Sequence, residues 1–236
     1  MTKPSMLEGM LLVNKPSGMT SHDVVQAVRR TLGVRRIGHT GTLDPMAEGL
    51  LILLVGPSTK HQRRFQMHEK TYEAILKLGI QTDTGDALGV TTRTTAVPVL
   101  DRVRVAAVLA SFQGAQLQTP PTYSAVKVKG KPAYWWARQR HPFRLAARPI
   151  HLSGLELMDY SGDTITFRVH CSAGTYIRTL AESVAARLGS VGHLTALVRL
   201  RIGQWSLEEA KPFSWLTEIS PDTLARALLP LGRTVT

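Results

Sequence analysis

The chain has 236 residues, 43% of them apolar, which is room for one large domain or one domain with a small appendage and excludes global disorder. Lysine and arginine number 29 against 17 acidic residues, and the resulting +12 points to a polyanionic partner, nucleic acid ahead of an anionic membrane surface. A single cysteine, Cys171, excludes an intramolecular disulfide and a multi-cysteine zinc site, and fits a reducing cytoplasm.

The first nine residues contain no apolar signal-peptide region, and runs such as 50–55 are too short to span a bilayer, so a soluble protein is expected. Leu11, Leu12 and Val13 read as a short buried strand ended by the turn Asn14-Lys15-Pro16-Ser17-Gly18. Ser21 reads as a helix N-cap with Asp23 in the first turn. Val24, Val25, Val28 and Leu32 recur at helical spacing, and Gly33 closes the helix. After Arg35-Arg36 comes the glycine-rich loop Gly38-His39-Thr40-Gly41-Thr42-Leu43-Asp44-Pro45. Residues 50–55, apolar throughout, predict a central strand covered on both faces.

Residues 71–80 read as a further strand and 82–86 as a polar turn. Val105, Val108 and Leu109 place a helix over 102–112. Residues 149–160 and 164–171 predict a hairpin about Ser161-Gly162-Asp163, with Cys171 a buried strand residue. Ile177, Leu180, Ala181, Val184 and Leu188 mark an amphipathic helix closed by Gly189, and 197–202 return as a strand. Hairpins mixed with helices give an α+β class with a largely antiparallel sheet. Residues 126–148 differ: Lys127, Lys129, Lys131, Arg138, Arg140, Arg144 and Arg148 occur without one acid, and Tyr134, Trp135 and Trp136 sit among them. The cations suit phosphates; the aromatics either stack on bases or are simply core.

The chemistry centres on Asp44. Glycines allow a tight backbone and close approach of a substrate, and Pro45 biases Asp44 toward an extended conformation. By local rules alone, an Asp-Pro pair is a helix cap or an Asx-turn. A carboxylate is also a ready nucleophile without an activating base, given an electrophile and a cation to hold it. Arg178, in Gly174-Thr175-Tyr176-Ile177-Arg178, is a candidate cation, although spacing alone does not bring the two together.

Five motifs supply more. Asn14-Lys15-Pro16-Ser17-Gly18 with Thr20-Ser21-His22-Asp23-Val24-Val25, the Asp44 loop, Lys70-Thr71-Tyr72-Glu73-Ala74, the segment from Gln118 to Lys127 (Gln-Thr-Pro-Pro-Thr-Tyr-Ser-Ala-Val-Lys), and the Arg178 segment resemble, in order, those of the TruB family of tRNA pseudouridine-55 synthases. The resemblance runs from about residue 10 to about residue 203. It implies a pseudouridine-synthase-like α+β fold, with a mixed, largely antiparallel central sheet flanked by helices and a basic RNA-binding insertion. Residues 1–205 would form the catalytic domain, 113–148 the insertion, and 206–236 a short tail without a complete PUA domain, in which Leu224 to Leu231 would form only a helix or a strap. The expected substrate is the T-arm of tRNA, bound by a cytoplasmic monomer with no obligate protein partner and no membrane.

The same resemblance assigns roles. Asp44 would be the nucleophile, attacking either the uracil ring or the sugar C1′. Tyr72 would stack on the target base and help to remove its C5 proton. Arg178 would pair with Asp44. Tyr176 and Leu197 would line the pocket. His39 would stack into the gap left by the flipped nucleotide, its alternative being a loop-bracing histidine. Lys15 would support the pocket or contact RNA, and Lys127 would meet RNA from the insertion. Isomerisation calls for no metal and no cofactor. Glu48 stands where many members have threonine, Ser58 where alanine is common, and Arg140 near a usual glycine. The competing readings are a non-catalytic RNA chaperone with this fold, a guide-RNA-dependent synthase, and a two-carboxylate glycosidase using Asp44 and Glu48, which the basic charge disfavours.

Overall fold

The computed structural model describes residues 7–231. Its elements are, in chain order, β1 (Gly9–Lys15), α1 (Ser21–Leu32), β2 (Ile37–His39), β3 (Glu48–Val55), a 3-10 turn (Gly56–His61), α2 (Gln62–Gln66), β4 (Lys70–Leu78), β5 (Ile80–Thr82), β6 (Thr91–Thr94), α3 (Arg102–Ala110), β7 (Gly114–Gln118), β8 (Lys127–Val128), β9 (Lys131–Pro132), α4 (Ala133–Arg138), β10 (Arg148–Ser161), β11 (Thr164–Cys171), α5 (Ile177–Arg187), β12 (Gly192–Ile202), β13 (Trp205–Ser206), a second 3-10 turn (Leu207–Glu209), β14 (Lys211–Pro212), α6 (Phe213–Glu218) and α7 (Pro221–Arg226). The class is α+β, with mixed but mostly antiparallel strand pairing, as expected. Among the described residues no helix is long and apolar enough to cross a membrane. The chain divides into two units, 1–70 with 198–236, and 71–197.

In the first unit the strand order is β14-β1-β3-β12. β1 pairs antiparallel with β3 from Gly9↔Val55 to Lys15↔Gly49, so the strand seen in Leu11–Val13 continues through the lysine of the following turn motif. β3 is buried from Gly49 to Val55, as its unbroken apolar run requires. Met10, Leu12, Leu50, Ile52, Leu54, Phe65, Ile202 and Trp205 form one core cluster, each fully buried aliphatic contributing about 1.5–3 kcal/mol. The segment from Leu224 to Leu231, read as a helix or a strap, begins inside α7 and continues as a strap. Leu216 and Leu224 are buried in α6 and α7, and Leu229 exchanges two main-chain hydrogen bonds with Met10.

The start of α1 differs from the sequence reading. Thr20, not Ser21, is the N-cap: its hydroxyl accepts from the Asp23 N–H while the Asp23 carboxylate accepts from the Thr20 N–H, a reciprocal capping box. Either hydroxyl satisfies the local rule. What decides is that Ser21 is buried and its hydroxyl is engaged elsewhere, on the main chain of Leu43.

In the second unit the order is β12-β4-β11-β10-β7. β4 alternates strictly, burying Tyr72, Ala74, Leu76 and Leu78, and ends two residues before the expected boundary because Gly79 takes φ +90. β10 and β11 form the expected hairpin, closed by Gly162 and Asp163 between the paired Ser161 and Thr164, and Cys171 is buried at its far end. α3 is capped by Asp101, and α5 buries Ile177, Leu180, Ala181 and Val184 as their spacing requires. The basic stretch forms a two-residue ladder, β8 with β9, then α4. Its aromatics are not core. Tyr134 and Trp135 are 41% and 38% exposed, and half-buried Trp136 donates its indole N–H to Val128 O at 2.9 Å. The anchor of the stretch is Ala133, which is wholly buried.

Candidate active site

The first unit fixes the Asp44 loop from several directions. Leu43, beside the aspartate, is gripped by Ser21, whose hydroxyl accepts from Leu43 N–H at 2.8 Å and lies 3.2 Å from Leu43 O. Pro45 O accepts from Gly18 N–H at 2.9 Å, and Met46 O from the Ser17 hydroxyl at 3.0 Å. Upstream, Thr40 N–H donates to Ile52 O at 3.0 Å. Asp44 O accepts from Ala47 N–H at 3.0 Å, closing a turn, while Asp44 itself is half-buried. Two of the motifs, the Lys15–Ser21 segment and the Asp44 loop, are thus one hydrogen-bonded structure. Within this unit the structure brings Lys15, His39 and Asp44 onto it.

Two buried cations lie beneath the loop. Lys15 is fully buried, and its ammonium donates to Pro16 O and Met19 O at 2.8 Å and to Pro45 O at 3.4 Å. Burial pulls it down to about 8; Glu48 resists this, Arg199 adds to it, and Asp44 and Asp23 also resist. Arg199, on β12, is 1% exposed and donates from Nε to Leu50 O at 2.7 Å and from Nη2 to Gly41 O at 3.1 Å. His39 ends β2, its carbonyl accepting from Gln62 Nε2 at 2.9 Å. Burial first, then the charges of Arg199 and His22, hold its imidazole below the usual histidine range, so the ring is neutral near pH 7. Among the described residues its Nδ1 and the Thr40 hydroxyl, both buried, have no hydrogen-bond partner.

The second unit builds a constellation around Arg178, the second residue of α5. It is 4% exposed. Nη1 donates to Thr84 O at 2.6 Å and Nη2 to Tyr123 O at 2.9 Å, while Nε lies 4.0 Å from Asp86 Oδ2. Asp86 is buried too, and accepts from the Thr84 hydroxyl and Leu88 N–H. Burial pushes the nearby Glu182 carboxyl up, and the Arg178 charge pulls it back. Gln118 clamps Tyr176 through both main-chain groups, its Oε1 accepting from Tyr176 N–H at 2.8 Å and its Nε2 donating to Tyr176 O at 3.0 Å. The segment from Gln118 to Lys127 and the Arg178 segment are therefore joined by direct bonds. Tyr72 and Leu197 are buried on β4 and β12, and Lys127 is exposed on β8.

Arg199, Gln118, Asp86 and the inward turn of Ser21 escaped the sequence reading. Arg199 left one trace: in a strand of period two it shares a face with Leu197, and an arginine on a buried face needs a reason. The family departures also have places. Ser58 is buried, its hydroxyl 3.3 Å from Glu8 Oε1; Glu48 is exposed at the head of β3; and Arg140 adopts φ +54, the left-handed conformation that glycine takes most easily. Among the described residues no group of three or more histidine, cysteine or acidic side chains is gathered to hold a metal ion.

Comparison with known proteins places the chain in a family. Residues 29–177 match the model of the TruB family pseudouridylate synthase, N-terminal domain. A protein of Aromatoleum aromaticum named tRNA pseudouridine synthase B is 44% identical over 230 residues, 97% of this chain and 74% of that one. Its namesake from Hydrogenovibrio crunogenus is 42% identical over 95% of this chain and 74% of its own, and that of Opitutus terrae is 41% identical over 95% and 93%. Among solved structures, a Cbf5-Nop10-Gar1 complex matches with a TM-score of 0.69 at 25% identity over 94% of this chain. The archaeal box H/ACA sRNP Nop10-Cbf5 complex matches with a TM-score of 0.71 at 23% identity, a likeness of fold. This chain spans 60% and 62% of the length of those two. The chain belongs to the TruB family of pseudouridylate synthases.

Proposed function

We propose that the chain isomerises uridine 55 in the T-loop of tRNA to pseudouridine, with Asp44 as the nucleophile. What supports the substrate is the name shared by relatives that align along nearly the whole chain. The observation that carries the nucleophile is the Asp44 loop itself. Its main chain is tied down on both sides of the aspartate, while Asp44 keeps part of its surface open. A reactive group needs that combination of fixed geometry and access.

The reaction conserves atoms and electrons. The target nucleotide leaves its stack at a cost of about a few kcal/mol, and neutral His39 stacks into the gap. Asp44 attacks the uracil ring or C1′, the N–C glycosidic bond breaks, and the base turns. The C5–C1′ bond then forms, the bond between Asp44 and the nucleoside breaks to free the carboxylate, the C5 proton is lost to solvent, and N1 takes up a proton. Arg178 pairs with Asp44 and aims it. Tyr72 stacks on the base and assists removal of the C5 proton, and Tyr176 and Leu197 line the pocket. Lys15, with its ammonium turned to three carbonyls, braces the loop rather than reaching for phosphate. Lys127 and the rest of the basic insertion grip the T-arm. The protein acts as a cytoplasmic monomer without an obligate protein partner.

A T-arm hairpin carrying 5-tritiated uridine tests this. The purified chain releases tritium, whereas Asp44→Asn binds the hairpin equally well and loses at least about 10⁴-fold in rate, the scale of nucleophile removal in other enzymes. Substantial release by the variant would remove Asp44 from its role, and none from the wild-type chain would remove the function.

A further inference from the structure

Arg199 has an environment that the reaction above leaves unused. It is 1% exposed, yet its hydrogen bonds run to main-chain carbonyls and not to a carboxylate. Taking such a charge out of water is costly, and an apolar side chain on the same strand face would avoid that cost. What the guanidinium supplies is geometry. Gly41 O and Leu50 O, its two acceptors, bracket the segment that carries Asp44. The main chain of Arg199 closes on the same segment through the parallel pair Arg199↔Gly49. Gly49 takes φ +102 there, and a Cβ on it would stand 2.4 Å from Arg199 O. One residue thus holds the loop where it begins and where it ends, through a planar group with no internal torsion.

We propose that Arg199 is a positioning residue for Asp44: its guanidinium sets the span of the loop from Gly41 to Leu50, so that the carboxylate meets the flipped uridine in attack geometry. Arg199 itself touches no substrate atom. Its charge is felt across the loop, lowering the basicity of both Lys15 and His39. The proposal rests on the isomerase reading.

Single-turnover tritium release at saturating enzyme, per folded molecule, tests it with Arg199→Lys and Arg199→Gln. Lysine keeps the charge but loses the fork. The maximal rate of Arg199→Lys falls about 100-fold, the cost of displacing a reacting group by roughly 1 Å, with the half-saturating RNA concentration unchanged. Arg199→Gln falls further, so lysine is a partial rescue. A wild-type maximal rate in both folded variants overturns the proposal. So does an unchanged rate with weakened RNA binding, which would make Arg199 an RNA contact, and so does failure of both variants to fold, which would make it a stability residue alone. A silent wild-type chain overturns the isomerase reading and this proposal with it, an outcome distinct from activity that survives loss of the fork.

Discussion

The Asp44 loop and the basic insertion solve opposite problems. In the loop, most polar main-chain groups near the aspartate meet a fixed hydrogen-bond partner: Ser21, Gly18, Ser17, Lys15, Ile52 or Arg199. In the insertion, a two-residue ladder, one short helix and the Trp136 indole hold the main chain, and the charged and aromatic side chains turn outward. There the cations rest on the insertion's own rings, Lys131 5.7 Å from the centroid of Trp135 and Arg138 5.5 Å from that of Tyr134. Those contacts are weak at exposed sites and easily exchanged for phosphates and bases. Covalent chemistry tolerates errors of a few tenths of an ångström; gripping a polyanion tolerates far more. On the proposed function, the hydrogen bonds are concentrated where the tolerance is small.

The contrast can be broken from either side. Ser21→Ala strikes the rigid side hardest. It leaves Leu43 N–H buried without its acceptor, costs about 1–3 kcal/mol in denaturant unfolding, and lowers the maximal rate by roughly 10- to 100-fold with RNA affinity intact. An unchanged rate would mean that the loop holds its shape without Ser21. Replacing Lys127, Lys129 and Lys131 together by alanine strikes the other side. The maximal rate stays, RNA binding weakens, and the slope of log affinity against log salt shrinks by about two to three. A lower maximal rate with an unchanged salt slope would deny the insertion its role as an electrostatic grip. The smallest effect is Arg140→Gly, which relieves the φ +54 backbone and stabilises the protein by up to about 1 kcal/mol by thermal unfolding. A clear loss of stability would show that the Arg140 side chain contributes more than its backbone strain costs.

What was legible in the sequence follows the reach of each signal. β3 was plain, since seven successive buried positions leave no polar residue to blur the run. The hairpin of β10 and β11 was plain because Gly162 and Asp163 can only turn there. The five motifs located Asp44, Tyr72 and Arg178 through their order along the chain. Local rules failed where two residues satisfied the same rule, as Thr20 and Ser21 both do for a helix cap, and tertiary bonding to Leu43 chose between them. They failed also for Arg199 and Gln118, whose partners lie 158 and 58 residues away, a distance that no periodicity spans. For Tyr134 and Trp135, apolar character suggested core, whereas a segment this short and this charged offers no interior in which to bury them.

Cys171 gives the molecule a built-in clock. It is the only thiol in the chain and it is 1% exposed at the end of β11, so a thiol-reactive dye meets no target on the folded surface. Labelling then proceeds at the pace at which that end of the hairpin opens, and its rate reads local opening directly. The same silence leaves the rest of the surface free for cysteines placed by design, so that a fluorophore on the basic insertion would report RNA capture against a dark background.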